Sequence, residues 1–241
     1  MSISDVGDPL TYVSAASTAA EIGASDRITG LLRLKGDALG VFTEGSIFAL
    51  QGVTDTITRI EISPNSGAIE YSVQDAGRPV FLDYLGPATV DTTDQYGDFD
   101  STRMAGGATP WFVERLQLPT RNQTTDRTFL ASYLMRSKGQ ERYVFKDGWQ
   151  ATLTLSDKGV QTTTQRFYGD YADRDGTAIT VLGLCHGTTS TGQDVAFMTF
   201  DRDPTGSRYR YVFQLDNGTS FDGEEIIAQW TSQPLHLGSI F

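Results

Sequence analysis

Hydrophobic residues along this chain occur in short runs, and each run ends at a turn residue. The clearest example is the stretch 28–52, where Gly36-Asp37 and Glu44-Gly45 act as turn dipeptides. The three runs that they separate are Ile28–Lys35, Ala38–Thr43 and Ser46–Leu50. Short β-branched and aromatic runs joined by tight turns predict antiparallel strands that lie side by side as a meander.

The same pattern continues along the chain. The further predicted strands are 56–62, 68–75, 79–84, 129–136, 141–146, 150–156, 161–168, 178–186, 194–201, 207–215 and a last apolar run at 225–230. Helical signals are nearly absent: Ser14–Ile22 is the best candidate, and Asp222–Gln229 suits a helical turn or a strand equally well. Groups of three or four strands that recur every ~40–50 residues are typical of propeller blades. We therefore predict an all-β fold of meander strands, a β-propeller, with a β-sandwich or barrel as the alternative.

The middle segment, 92–127, differs from the rest because it is polar and rich in Asp and Gly. It is expected to be an irregular excursion between a first group of blades in 1–91 and a second group in 128–241, within one propeller-like domain. Long loops inside compact domains usually have a function, and we expect this one to contact a neighbour in the same chain or in another subunit. The candidate interface residues are Tyr96, Phe99, Trp111, Phe112 and Leu116. The loops 169–176 and 201–206 are further candidate contacts.

The formal net charge is −11, from 30 acidic and 19 basic residues. Such a balance argues against a protein that binds nucleic acid by neutralising phosphates, since that requires clustered Lys and Arg. It does not exclude DNA that passes close by, because an acidic wall repels phosphate and suits a conduit. Solubility is the simpler explanation of the negative net charge.

Other features limit where and how the chain folds. No window reaches the ~18 consecutive apolar residues of a membrane helix, and the acidic N-terminus is unlike a signal peptide. We therefore expect folding in the cytosol without a membrane anchor. Cys185 is the only cysteine, so no intrachain disulfide forms, and its apolar surroundings predict a buried small hydrophobe.

Catalytic motifs are absent from the sequence. There are only two histidines, and His186 follows Cys185 directly, so on a strand the two side chains point to opposite faces. The chain contains no nucleophile elbow, paired-His zinc pattern or phosphate-binding glycine loop. We predict no enzyme activity, no catalytic residues and no cofactor.

Two acidic loops leave alternatives open. The stretch 91–100 holds four carboxylates and 170–176 holds three, but neither matches the ligand spacing of an EF-hand. We therefore expect turns in which Asp side chains accept hydrogen bonds from backbone amides, and we predict no metal site. A non-standard calcium site is the alternative. Paired carboxylates such as Glu44 and Asp83 could instead serve a propeller glycosidase, which needs two acids in one cleft.

Several stretches resemble one known family. Val6–Tyr12 and Ile22–Gly30 look like the lead-in to the propeller of nozzle (tail hub) proteins of short-tailed bacteriophages, and Leu39–Gly52 is the closest match, with the character L-x-V-F-T-x-x-S-I-x-x-L-x-G. Ser72–Asp83 resembles the following blade, and Ile226–Gly238 resembles a strand that ends in Trp-Thr and Leu-Gly. The resemblance lies mainly in residues 6–91. Such proteins usually carry more chain on both sides, so this sequence is expected to be a compact member or a piece of a longer tail protein.

The resemblance implies a structural virion protein, assembled in the host cytoplasm. Such proteins form a ring, commonly a homohexamer, below the portal and adaptor rings of the tail, where they retain packaged DNA and permit its ejection. The implied partners are other copies of the chain, adaptor or head-tail connector proteins, tail fibres or spikes, and genomic DNA that passes without sequence-specific binding. A receptor- or glycan-binding tail appendage is the alternative, with the aromatic residues of 92–127 as its binding cleft.

Overall fold

The fold is all-β, as predicted. The computed structural model describes residues 26–53, 56–92, 99–104, 108–116, 128–156, 159–167, 179–202, 209–216, 220–221 and 224–225. These residues contain one α-helix and 17 strands, and the strands of each sheet are antiparallel neighbours in chain order. The meander connectivity predicted from the turn dipeptides is therefore confirmed.

Four sheets follow one another along the chain. Sheet 1 contains β1 (Ile28–Arg33), β2 (Leu39–Thr43), β3 (Ile47–Val53) and β4 (Thr56–Ser63). Sheet 2 contains β5 (Gln74–Asp75), β6 (Pro79–Asp83), β7 (Gly86–Thr92) and β8 (Phe99–Arg103). Helix α1 (Thr109–Leu116) follows sheet 2.

Sheet 3 contains β9 (Phe129–Met135), β10 (Gln140–Phe145), β11 (Trp149–Ser156) and β12 (Gly159–Arg166). Sheet 4 contains β13 (Thr180–Thr188), β14 (Asp194–Arg202) and β15 (Tyr209–Leu215). The short strands β16 (Ser220–Phe221) and β17 (Glu224–Glu225) pair with each other after sheet 4.

Consecutive sheets pack face to face, with a hydrophobic core between each pair. Successive side chains of a strand point to opposite faces, so β6 contributes Phe81 to the core with sheet 1, and Val80 and Leu82 to the core with sheet 3. Tyr133 and Val144 of sheet 3 point the other way and meet Met198 of sheet 4. The described sheets therefore form a stack in chain order; closure of that stack into a propeller stays a prediction.

Backbone hydrogen bonds tie a later segment of the chain to the same position in sheets 1 and 3. The N–H of Ala68 donates to the carbonyl of Thr43 over 2.8 Å, and the N–H of Val181 donates to that of Lys146 over 2.7 Å. Both acceptors lie at the end of the second strand of a sheet. Where Ala68 bonds to Thr43, the backbone of residue 67 passes close to the end of β2. A Cβ on Gly67 would lie 2.2 Å from the Thr43 oxygen, so this position requires glycine.

The structure corrects several local predictions. The segment 92–127 is not wholly irregular, since β8 and α1 lie within it. Within the predicted strand 68–75, only Gln74–Asp75 is a strand. Cys185 is exposed rather than buried. The helix candidate Ser14–Ile22 and most of Asp222–Gln229 lie outside the described residues, and the described part of the latter is β17.

Candidate functional site

Helix α1 carries three of the five predicted interface residues. Phe112 and Leu116 are 0% and 4% exposed and belong to the core between sheets 2 and 3, so they anchor the helix within its own chain. Trp111 is half-buried at the edge of that core. Phe99 begins β8 and packs instead against the core between sheets 1 and 2, and Tyr96 lies outside the described residues. The structure thus places Phe99 in a different cluster from the helix residues.

The outer side of α1 is held by an arginine between two tryptophans. The Arg115 guanidinium lies 4.8 Å from the ring centroid of Trp111 and 4.5 Å from that of Trp149, and it donates a 2.6 Å hydrogen bond to Asp147. The Trp111 ring also makes edge contacts with Phe112 and Phe145. One face of each indole is therefore covered by Arg115, which makes this cluster a clamp for the helix.

The carboxylate of Asp83, one glycosidase candidate, is fully engaged at the end of β6. It is 1% exposed, and it accepts hydrogen bonds of 2.7 Å each from Arg103, Ser66 and the backbone N–H of Leu85. A side chain used in this way holds a turn together and has no free oxygen to present to a substrate. Glu44 lies in the turn between β2 and β3 and is half-buried.

The cysteine–histidine pair does not form a dyad. Cys185 is opposite Phe197 and His186 is opposite Ala196 in the β13–β14 ladder, so the two side chains lie on opposite faces of sheet 4. The histidine ring lies instead 5.9 Å from the ring of Tyr133 in sheet 3.

No group of three or more metal-binding side chains occurs among the described residues. In the first acidic loop, Asp91 forms an ion pair with Arg78 at 3.3 Å. The second loop, 170–176, lies outside the described residues, so the calcium alternative is neither supported nor opposed there.

Arg78 and Asp91 also line an open groove of about 330 Å³ between the first hairpin of sheet 1 and sheet 2. Phe99, one of the predicted interface residues, lies at its wall. Its three basic residues, Arg33, Lys35 and Arg78, are balanced by Asp37, Asp75 and Asp91, and two of them form ion pairs, Arg33 with Asp37 and Arg78 with Asp91. The groove therefore offers no excess of positive charge to an anionic ligand.

A polar network crosses from sheet 3 to sheet 4. The carboxylate of Asp216, directly after β15, contacts Arg142 at 2.6 Å and Lys138 at 3.0 Å. Arg142 is 6% exposed, and it also donates to Gln140 over 2.7 Å. Burial acts to raise the pKa of Asp216, but the two cations outweigh it and hold that pKa below its usual value. The network is a structural link between two sheets.

Glu141 is the least expected residue of the core. It lies on β10, is 0% exposed, and neither carboxylate oxygen has a hydrogen-bond partner among the described residues. Burial raises its pKa to about 8, an effect that the neighbouring Tyr143 hydroxyl only partly offsets. Glu141 is therefore mostly protonated at neutral pH. Its place in sequence, between polar residues of a charged hairpin, gave no signal of burial.

The outer face of sheet 4, the face turned away from sheet 3, carries exposed apolar side chains, and no described element packs on them. Its central ladder rows are Cys185–Phe197–Gln214 and Gly183–Thr199–Val212, and the next row on the same face is Thr180–Asp201–Arg210. Phe197 is 40% and Val212 69% exposed, and Leu182, in the bulge beside Gly183, is 44% exposed. Sequence reasoning missed this face, although a signal existed: Val181–Cys185 and Val195–Phe200 are near-continuous apolar runs, which are typical of strands covered on both faces.

Comparison with known proteins adds no relative: no protein-family model and no curated protein matches this chain. Among the described residues, no helix has the length and apolar character needed to cross a membrane.

Proposed function

We propose that this chain is a structural subunit of a short bacteriophage tail, a nozzle or hub protein that forms a ring and acts without catalysis. The observation that carries the proposal is the uncovered outer face of sheet 4 at the end of a stack of sheets. Exposed apolar patches of this kind on a folded protein mark sites of protein association. A subunit of an assembly needs such a face, whereas an enzyme needs a cleft with chemistry in it.

The described polar clusters support a structural role. Asp83, Arg115 and Asp216 each have their charged atoms committed to contacts within the chain. Side chains that act on a substrate keep at least one functional atom available in a pocket. These clusters instead join strands, helix and sheets to one another, as a load-carrying virion protein requires.

The remainder of the proposal follows from the resemblance in residues 6–91 and from the charge. In it, several copies form a ring in the tail of the virion, and adaptor proteins and tail fibres or spikes contact that ring. The net charge of −11 lets DNA pass through without being held. Retention of the packaged genome and its release on ejection are the functions of such a ring.

The proposal is tested by imaging the purified chain, alone and mixed with the adaptor protein of the same phage, by negative-stain electron microscopy. Rings of the chain, or rings of the chain seated on the adaptor, are expected. Particles that stay monomeric and ignore the adaptor would contradict the proposal. Glycan arrays on the same preparation serve as the control, since binding there, abolished by Trp111→Ala in a folded variant, would favour the tail-appendage alternative.

A further inference from the structure

The hairpin between β9 and β10 reaches from sheet 3 to both neighbouring sheets. Its tip, residues 136–139, is a single turn of 3₁₀ helix that ends at Gly139 in the left-handed region, with a φ of 59°. On one side, the Arg136 guanidinium donates a hydrogen bond of 3.4 Å to the backbone carbonyl of Asp75 in sheet 2. The tip is exposed, so these contacts are its main attachment to sheet 2.

On the other side, the tip is held by two carboxylates of sheet 4. The backbone N–H of Ser137 donates to Asp194 over 2.7 Å, and the Lys138 ammonium contacts Asp216 at 3.0 Å. The Ser137 hydrogen bond lowers the pKa of Asp194, and the pKa of Asp216 is also held low. Both carboxylates therefore stay charged at neutral and alkaline pH, and their own titration does not release the tip there.

Glu141 is the buried end of this hairpin, two residues after Gly139. Its side chain lies between Leu134 of β9 and Leu153 of β11, on the face of sheet 3 that packs on sheet 2. It is 0% exposed, and neither carboxylate oxygen has a hydrogen-bond partner among the described residues. An ionised carboxylate in such a place is strongly unfavourable unless it moves into water.

No charge that the structure describes offsets Glu141. Burial raises its pKa to about 8, and the Tyr143 hydroxyl beside it is the only other influence. The core from sheet 2 and α1 is apolar here. The charged side chains of the surrounding elements each have another partner; they are Asp75, Arg78, Arg115, Arg136 and Lys138.

We propose that the β9–β10 hairpin is a pH-sensitive latch, in which ionisation of Glu141 carries its carboxylate out of the core and releases the tip from sheets 2 and 4. The tip is the shortest route to water, because it is exposed and only two residues away. Local openings use such weakly held segments rather than whole sheets. The inference concerns a single chain, so it stands or falls independently of the proposed ring.

The pH dependence of this opening has a definite form. The pKa of Glu141 is about 8 with the latch closed and near the ordinary 4.5 with the carboxylate in water. The fraction of open molecules should therefore rise about tenfold per pH unit between these values and level off above pH 8.

Limited digestion with trypsin measures the opening, because trypsin cuts after Arg136 and Lys138 only when the hairpin opens. Mass spectrometry gives the cleavage rates from pH 6 to 9, corrected with a short peptide substrate for the pH dependence of trypsin itself. We expect a rise of roughly 100-fold between pH 6 and 8 in the wild type and a flat profile in Glu141→Gln. A flat wild-type profile, or an equal rise in both proteins, would overturn the latch.

Two controls separate a local latch from general unfolding. Arg59 lies on β4 in sheet 1, and cleavage after it should not follow the hairpin; a parallel rise would mean that the whole chain unfolds, which overturns the inference. Lys138→Gln removes one contact to sheet 4 without altering Glu141. It should raise cleavage after Arg136 by roughly two- to fivefold at every pH and leave the slope with pH unchanged. Unaltered cleavage would show that this contact does not hold the tip and would contradict the latch.

Discussion

At the scale of single residues, Glu141 is the most informative side chain because its carboxylate is buried among apolar groups. It shares its face of sheet 3 with Tyr143 and with Leu153 of β11, in the core packed against sheet 2. A carboxylate in such a place is stable only when protonated, since the interior does not solvate its charge. Folding therefore becomes coupled to the uptake of one proton.

The coupling has a definite sign. The pKa of Glu141 is about 8 in the folded protein against 4.5 for an ordinary glutamate, so the folded state binds more protons between these values. Its stability should fall as pH rises from about 4.5 to about 8, by up to ~1.4 kcal/mol per pH unit. Glu141→Gln removes the ionisation, and should be more stable than the wild type by a few kcal/mol at pH 8 but nearly equal to it at pH 5.

Urea unfolding at pH 5 and pH 8 measures this difference. Glu61→Gln is the control, because Glu61 is 55% exposed on β4 and its substitution should change stability by less than ~0.5 kcal/mol. A Glu141→Gln variant whose stability follows that of the wild type at both pH values would show that Glu141 is not buried as a neutral acid.

At the scale of elements, α1 is fixed to sheet 3 by Arg115 and its two tryptophans. Arg115→Ala removes two cation–π contacts and the hydrogen bond to Asp147, and should lower the free energy of unfolding by roughly 1–3 kcal/mol. Chemical denaturation followed by tryptophan fluorescence measures the loss. Arg33→Ala is the control, since Arg33 and Asp37 are both more than 80% exposed and should contribute less than ~0.5 kcal/mol. Equal losses for the two variants would contradict the clamp.

The link between sheets 3 and 4 gives a second prediction at this scale. Asp216→Asn removes the negative charge that neutralises Arg142, while Asn tolerates the positive φ of 59° at this position. The variant should lose roughly 2 kcal/mol at pH 7, because a nearly buried guanidinium is left without its carboxylate.

The pKa of Asp216 is held low, so this contribution is complete above the ordinary Asp value of 3.8 and disappears as pH falls through the folded value below it. Urea unfolding at pH 7 and at pH 3 measures it. Asp91→Asn, whose ion pair with Arg78 is more than one-third exposed, should cost less than ~1 kcal/mol and serves as the control. If Asp216→Asn is no more destabilising than Asp91→Asn, the network does not link the sheets energetically.

The sequence indicates the strands of sheets 1, 3 and 4 well because their runs are bounded by turn dipeptides such as Gly36-Asp37 and Asp147-Gly148. It does not indicate α1, because Pro110 is easily taken for a break, although proline is well tolerated in the first turn of a helix. The strand β7 contains Gly86 and Pro87, which also conceal it. Burial of Glu141 and exposure of Cys185 depend on how sheets stack, and no local pattern carries that information.

At the scale of the whole molecule, the described chain is a series of antiparallel sheets, each packed on the one before it. The cores between neighbouring sheets are buried, and the series ends in the uncovered outer face of sheet 4. A stack that ends in this way is suited to continued packing against another molecule. Self-assembly is therefore the property on which the proposed function depends.

The most direct test of that claim is the solution mass of the purified wild-type chain, measured by light scattering over a range of concentrations. We predict a closed assembly of several 26.3 kDa chains, six in the ring that the resemblance implies. A mass of one chain at every concentration, unchanged when the adaptor protein is added, would contradict the account.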